Sequence, residues 1–286
     1  MDPVAELRTR YPRRRVIVTG AASGLGLEIC RRFAAGSWTI GMFDADRDAL
    51  YAAQSDIRDR GGVVHVTVLD VTDEAAFKTA FQAFVRATEG VDVMVNNAGV
   101  AAAGRMEDIP VADWSWALGV NLLGVVHGCR LALPVFREAG KGLLLNIASA
   151  AAFVSSPDMS AYNASKAAVV ALSETLYGEL LGTRIQVSVA LPAFFKTNLL
   201  QRIRAPEEDR ESARLLMEYS DYNAERAAID ILRGAASGRF YIFAPSKVKL
   251  LWYLKRVNPM RYLKRFPILR RSRLKELRAR ASAKKE

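Results

Sequence analysis

The chain has 286 residues, 51% of them hydrophobic and 25% charged, with a formal net charge of +11. That much apolar material builds a sizeable core and excludes a disordered chain. The only two cysteines, Cys30 and Cys129, lack CxxC spacing, and His65 and His127 stand apart, so neither a disulfide framework nor a catalytic metal is expected.

In chain order, residues 1–13 read as an N-terminal arm without the apolar stretch of a signal peptide, and no run of 18 uncharged apolar residues follows, so the cytoplasm is the expected compartment. "RVIVTG" reads as a strand, "GLEICRRFAA" as a helix, "WTIGMFD" as a strand, "RDALYAAQSDIRDR" as a helix, "VVHVTVLD" as a strand and "DEAAFKTAFQAFVRAT" as a helix. The alternation continues through strand "VDVMVNNAG", one long helix "DWSWALGVNLLGVVHGCRLALPVFREA", strand "GLLLNIAS", a helix carrying "YNASKAAVVALSETLYGELLG" and strand "IQVSVALP". After a looser segment come the helix "NAERAAIDILRGAAS" and a last strand, "RFYIFAP". Near-continuous apolar strands separated by helices predict an α/β fold with a doubly wound parallel sheet, the Rossmann layout, as one domain over 14–245.

Between the first strand and first helix lies "TGAASGLG", with glycines at 20, 24 and 26. Glycine lets the backbone approach a pyrophosphate, and the N–H groups opening the helix face its charge. Asp44 ends the second strand 20 residues after Gly24, where a carboxylate accepts hydrogen bonds from an adenosine ribose. The same carboxylate repels a 2′-phosphate, and Ala22 and Ala45 supply no compensating base, so NAD is favoured over NADP; Arg47 is the nearest cation.

"YNASK" puts Tyr162 and Lys166 four residues apart, on one face of a helix. A free phenol holds its proton to pH ~10, and a nearby cation favours the phenolate. With "TGAASGLG", "NNAG" (Asn96 to Gly99), a serine 13 residues before the tyrosine, and YxxxK, the chain resembles the short-chain dehydrogenase/reductase family in its compact single-domain form, over about residues 14–245.

The resemblance implies an oxidoreductase passing hydride between a carbinol carbon and nicotinamide. Its reacting set would be Ser149 holding the substrate oxygen, Tyr162 as acid/base, Lys166 on the nicotinamide ribose and lowering the tyrosine pKa, and Asn121 holding a proton-relay water. It implies phosphate contacts around Gly20, Ser23, Leu25 and Gly26, adenine contacts at Asp70 and Val71, ribose-side contacts at Asn97 and Gly99, and a carboxamide contact at Thr197. Ala193 departs from the family's usual glycine, and Ala148 precedes the serine. A homodimer or homotetramer through the two long crossover helices is expected. An NADP-dependent carbonyl reductase and a dinucleotide-binding sensor or scaffold without chemistry remain alternatives.

The substrate loop, about 194–222, and its surroundings carry Phe194, Phe195, Leu199, Leu200, Leu215, Leu216, Met217, Phe153 and Met159, which suits a lipophilic or aromatic alcohol or ketone. Residues 246–286 hold 15 Lys/Arg against two Asp/Glu, leaving the first 245 at −2. Aromatic and aliphatic residues interleave with these cations, and Pro259 and Pro267 are expected to break the segment into short pieces. An anionic membrane surface is the first reading of this extension, packing on the body or a sister subunit the second, nonspecific nucleic-acid binding the third.

Overall fold

The seven apolar runs form seven strands: β1 (Arg15–Thr19), β2 (Thr39–Asp44), β3 (Val63–Val68), β4 (Val93–Asn96), β5 (Gly142–Ile147), β6 (Ile185–Pro192) and β7 (Tyr241–Ala244). They make one sheet in the order β3-β2-β1-β4-β5-β6-β7, and every pairing is parallel. The structure is a computed structural model describing residues 3–193, 195 and 203–282; Phe194, Thr197, Leu199 and Leu200 lie outside the described residues.

Side-chain alternation sends each strand's residues to two cores. Val16, Val18, Ile40, Met42, Val93, Val95, Leu143 and Leu145 face one side, where α2 (Gly24–Ala35), α3 (Arg47–Asp59) and α10 (Ala224–Ala236) pack. Ile17, Phe43, Met94 and Leu144 face the other, against α4 (Glu74–Thr88), α6 (Gly124–Glu138) and α8 (Ser160–Glu179). Asp46 and Asp73 cap α3 and α4 by accepting from Ala49 N and Ala76 N.

The long helix expected from "DWSWALG…" runs as α5 (Val111–Leu118), a π-helical turn (Gly119–Leu123) and α6. Its composition would suit a membrane span, but Ala117, Asn121, Val125, Cys129, Ala132 and Phe136 are buried in the fold. Below the sheet, Arg15 and Asp92 form a buried bidentate ion pair (Nη2–Oδ1 3.0 Å, Nε–Oδ2 3.0 Å) that ties the starts of β1 and β4.

The C-terminal extension departs from expectation at Pro267, and the N-terminal arm carries a helix. In the N-terminal arm, α1 (Pro3–Arg10) buries Val4 and Leu7, and Tyr11 just after it is buried and donates its Oη proton to Gly142 O at 3.1 Å. The extension is a helical pair, α11 (Lys249–Val257), packed against α7 (Ala151–Val154), and α12 (Pro259–Ser282), packed against α9 (Glu207–Glu218). Pro259 separates them, whereas Pro267 sits inside α12 without ending it. Packing overrides its missing donor, because Tyr262 before it and Leu274 and Leu277 after it are all buried.

Candidate active site

The sheet order reverses between β1 and β4, the switch point at which ligands bind in open α/β sheets. There the chain leaves β1 through Gly20, at φ +64°, where a Cβ would lie 2.8 Å from Ala98 Cα. A Cβ on Gly26 would stand 2.0 Å from Gly20 O, so only glycine lets α2 start this close to the strand. Asn97 locks the loop, its Nδ2 donating to Thr19 O (2.9 Å) and Gly20 O (3.0 Å), while Thr19 Oγ1 accepts from Asn97 N and Ala98 N. Asn97 is thus a brace for the loop as well as part of its wall.

Ser23, at the N-cap of α2, makes no side-chain capping bond, so the opening turn's N–H groups are not capped by it. Asp44 is 8% exposed and accepts from Ala22 N and Asp46 N, each at 3.0 Å, which holds the carboxylate at the rim of the cavity. Asp70 accepts from Thr72 N and Oγ1, closing a turn beside Val71, and both residues line the same cavity. Gly20, Ser23, Leu25, Asp44, Asp70, Val71, Asn97 and Gly99 all border this one cleft of about 810 Å³. A glycine cradle, an uncapped helix start and a carboxylate at the end of β2 fit a dinucleotide.

At the other end of the cleft, Ser149 follows β5, and Tyr162 and Lys166 project from α8. Ser149 Oγ accepts from Ala151 N (3.1 Å) and donates to Pro192 O (3.4 Å), and it lies near enough to the Tyr162 phenol to draw its pKa down. Lys166 is 3% exposed, its Nζ 6.0 Å from the Tyr162 ring centre and donating to Ile147 O at 3.0 Å. Burial pushes the phenol above its ordinary value and Ser149 pulls it down by less; burial also lowers Lys166 to about 8. The expected lowering of the tyrosine pKa by Lys166 is therefore not what these groups achieve by themselves. Desolvation of the phenol is the larger effect, and the lysine turns a proton to a carbonyl.

Asn121 sits in the π-helical turn and is fully buried. Its Oδ1 accepts from Val100 N (2.8 Å), and its Nδ2 donates to Val100 O (2.9 Å) and Ser165 Oγ (2.9 Å). The side chain is a latch between the segment after β4 and α8, which leaves no side-chain donor for the relay water expected of it. Gly99 lies against both neighbours, since a Cβ there would be 3.3 Å from Asn121 Oδ1 and Lys166 Nζ. Ala193 keeps a negative φ and bonds Ala244 O through its N–H, so the departure from glycine costs no strain.

Among the apolar residues expected around the substrate, Phe195, Met217 and Met159 line the cleft. Leu215 is buried elsewhere, and Phe153 packs on Phe243. Sequence reasoning missed Trp116, Ile203, Arg204 and, from the extension, Val248, Leu251 and Phe266. Arg204 is the cation of this wall, stacked 3.9 Å over Trp116 and paired with Asp113 at 2.8 Å. It also missed a buried chain behind the site, Asn96 Nδ2 to Asn146 Oδ1 (2.8 Å) and Asn146 Nδ2 to Ser173 Oγ (3.0 Å).

The sequence pattern described as short chain dehydrogenase matches residues 14–208. The chain is 33% identical over 221 residues to the 2-dehydro-3-deoxy-L-rhamnonate dehydrogenase (NAD(+)) of Sphingomonas sp. strain SKA58, covering 77% of this chain and 87% of that protein. It is 38% identical over 200 residues to the probable oxidoreductase EphD of Mycobacterium tuberculosis, which covers 68% of this chain and only 34% of EphD. A crystal structure of a short chain dehydrogenase/reductase from Burkholderia phymatum in complex with NAD superposes with a TM-score of 0.78 at 30% identity, over 83% of this chain and 92% of that one.

Proposed function

Since the chain belongs to the short-chain dehydrogenase/reductase family and is an NAD(P)-dependent oxidoreductase acting on CH–OH groups, we propose that it interconverts a lipophilic or aromatic alcohol and its ketone or aldehyde, using NAD in preference to NADP. The observation that supports this reading is a half-buried Ser149 and Tyr162 beside the buried Lys166, opening into a cleft walled by Trp116, Met159, Phe195, Met217, Leu251 and Phe266. Asp44 supports NAD, because a carboxylate fixed at the ribose end by two backbone N–H bonds repels a 2′-phosphate.

Gly20, Ser23, Leu25 and Gly26 would hold the pyrophosphate, Asp44 the adenosine ribose, Asp70 and Val71 the adenine, and Asn97 and Gly99 would line the nearby ribose region. When bound, the nicotinamide supplies the hydride acceptor and, oxidised, a positive charge beside the phenol. In alcohol oxidation Tyr162 takes the hydroxyl proton at its phenolic oxygen; in reduction it returns one. Ser149 orients the substrate oxygen and favours the phenolate by drawing the phenol's pKa down. Lys166 spends one of its three donors on Ile147 O, and the other two would orient the nicotinamide ribose. Asn121 acts as a positioning residue by fixing Val100 and Ser165 on either side.

Steady-state rates for aliphatic and aromatic alcohols of increasing chain length, followed by NADH absorbance, test this reading. Rising kcat/KM with apolar length supports it; preference for polyols or hydroxy acids contradicts it. Assembly as a homodimer or homotetramer through the long helices is the arrangement we favour, supported by the exposure of Leu123, Tyr177 and Leu181. The buried thiols Cys30 and Cys129 suit the cytoplasm, with the basic extension against an anionic membrane surface.

A further inference from the structure

The extension has two apolar sides. Facing the body, Val248 and Leu251 line the cleft, Trp252 packs on Tyr241 and Phe243 at ring separations of 5.5 and 5.8 Å, and Lys255 Nζ donates to Ser155 Oγ at 2.9 Å. The opposite side of α11 carries Leu250 (62% exposed), Tyr253 (48%), Leu254 (51%) and Val257 (84%). Their spacing, i, i+3, i+4, i+7, is that of an apolar stripe built to be covered, yet it faces outward. Exposed Met260 and Ile268 extend the apolar surface along α12 among exposed Arg261, Lys264 and Arg265.

We propose that this outer face docks on an anionic lipid bilayer, with α11 lying in the plane of the interface. Charge selects the occupant. Residues 246–286 carry a net +13, which attracts anionic headgroups while opposing the approach of a second copy by the same face. Exposed apolar groups at four helically spaced positions, three of them aliphatic, have no role against a nucleic-acid backbone, whereas acyl chains bury them. The geometry has a consequence for the cleft. A helix is about 10 Å across, so the inward Val248 and Leu251 stand about one helix diameter from the lipid, and a lipophilic substrate has a short path from the bilayer. That last consequence rests on the substrate reading above; the docking itself does not.

Cosedimentation of the full chain with phosphatidylglycerol–phosphatidylcholine vesicles, and with phosphatidylcholine alone, tests the docking without any activity readout. The full chain is expected to pellet with the anionic vesicles only. The variant L250S/Y253S/L254S/V257S, altered at exposed positions alone, is expected to lose at least about 10-fold in partitioning. Leu254→Trp is a second probe: the emission it adds over wild type should shift to the blue on vesicle addition. The proposal is overturned by protein left in the supernatant, by a quadruple variant that pellets as well as wild type, or by added indole emission that vesicles leave unchanged. Concentration-dependent self-association that the quadruple variant abolishes also overturns it, because the stripe is then a subunit contact.

Discussion

Replacing Lys166 by methionine separates the lysine's catalytic use from its cost to the fold. The ammonium is 3% exposed, and burial lowers its pKa from 10.5 to about 8. That gap corresponds to about 3 kcal/mol by which the charged form disfavours folding. The unfolded chain binds the proton more tightly, so the penalty is complete below pH 8 and is relieved as pH rises from about 8 to 10.5. Methionine removes the penalty but leaves Ile147 O without its donor, costing about 1–3 kcal/mol. At pH 7 the variant should therefore be about as stable as wild type or up to about 2 kcal/mol more stable, while kcat/KM falls at least about 100-fold. Urea unfolding of nucleotide-free wild type and Lys166→Met at several pH values reads the difference. It should move in favour of wild type by about 3 kcal/mol between pH 7 and 10.5. A difference that stays flat across that window refutes the reasoning, because the ammonium would then titrate alike in the folded and unfolded chains.

Three other outcomes follow from single contacts. Asp92→Ala leaves Arg15, which does not line the cleft, buried without its counter-charge, and should cost about 3–5 kcal/mol in urea unfolding while the folded protein keeps its NAD affinity. Gly26→Ala drives a methyl to within 2.0 Å of Gly20 O, and calorimetric titration should show NAD affinity lowered at least about 100-fold, since the cradle must open to admit it. Asp44→Asn removes the charge that disfavours a 2′-phosphate, so the NAD to NADP ratio of kcat/KM should fall at least about 10-fold, with a modest stability loss because its amide meets the Ala22 or Asp46 N–H.

What was legible in the sequence was whatever repeats or sits next to itself. The seven strands showed as short apolar runs, the phosphate cradle as glycines at 20, 24 and 26, and the pair at 162 and 166 as one helical turn. What stayed hidden depends on residues far apart in sequence. Arg15 meets Asp92 across 77 positions, and Asn96 meets Asn146 across 50, with no local pattern marking either partner. The family resemblance points to Asn121, but its saturation by Val100 and Ser165 follows from a π-helical turn that hydrophobic spacing does not signal. In the extension, the cations dominate the composition and mask which apolar residues turn inward. Its inward residues, Val248, Leu251 and Phe266, wall the cleft, a role visible only once α11 and α12 are folded back onto the body.

The most direct test of the account is the rate of NADH formation from a turned-over lipophilic alcohol by wild type and Tyr162→Phe, measured with protein shown to bind NAD equally. Loss of the phenolic oxygen should lower kcat at least about 100-fold and leave NAD affinity within a few-fold of wild type. A phenylalanine enzyme that turns over at the wild-type rate would contradict proton exchange at this oxygen.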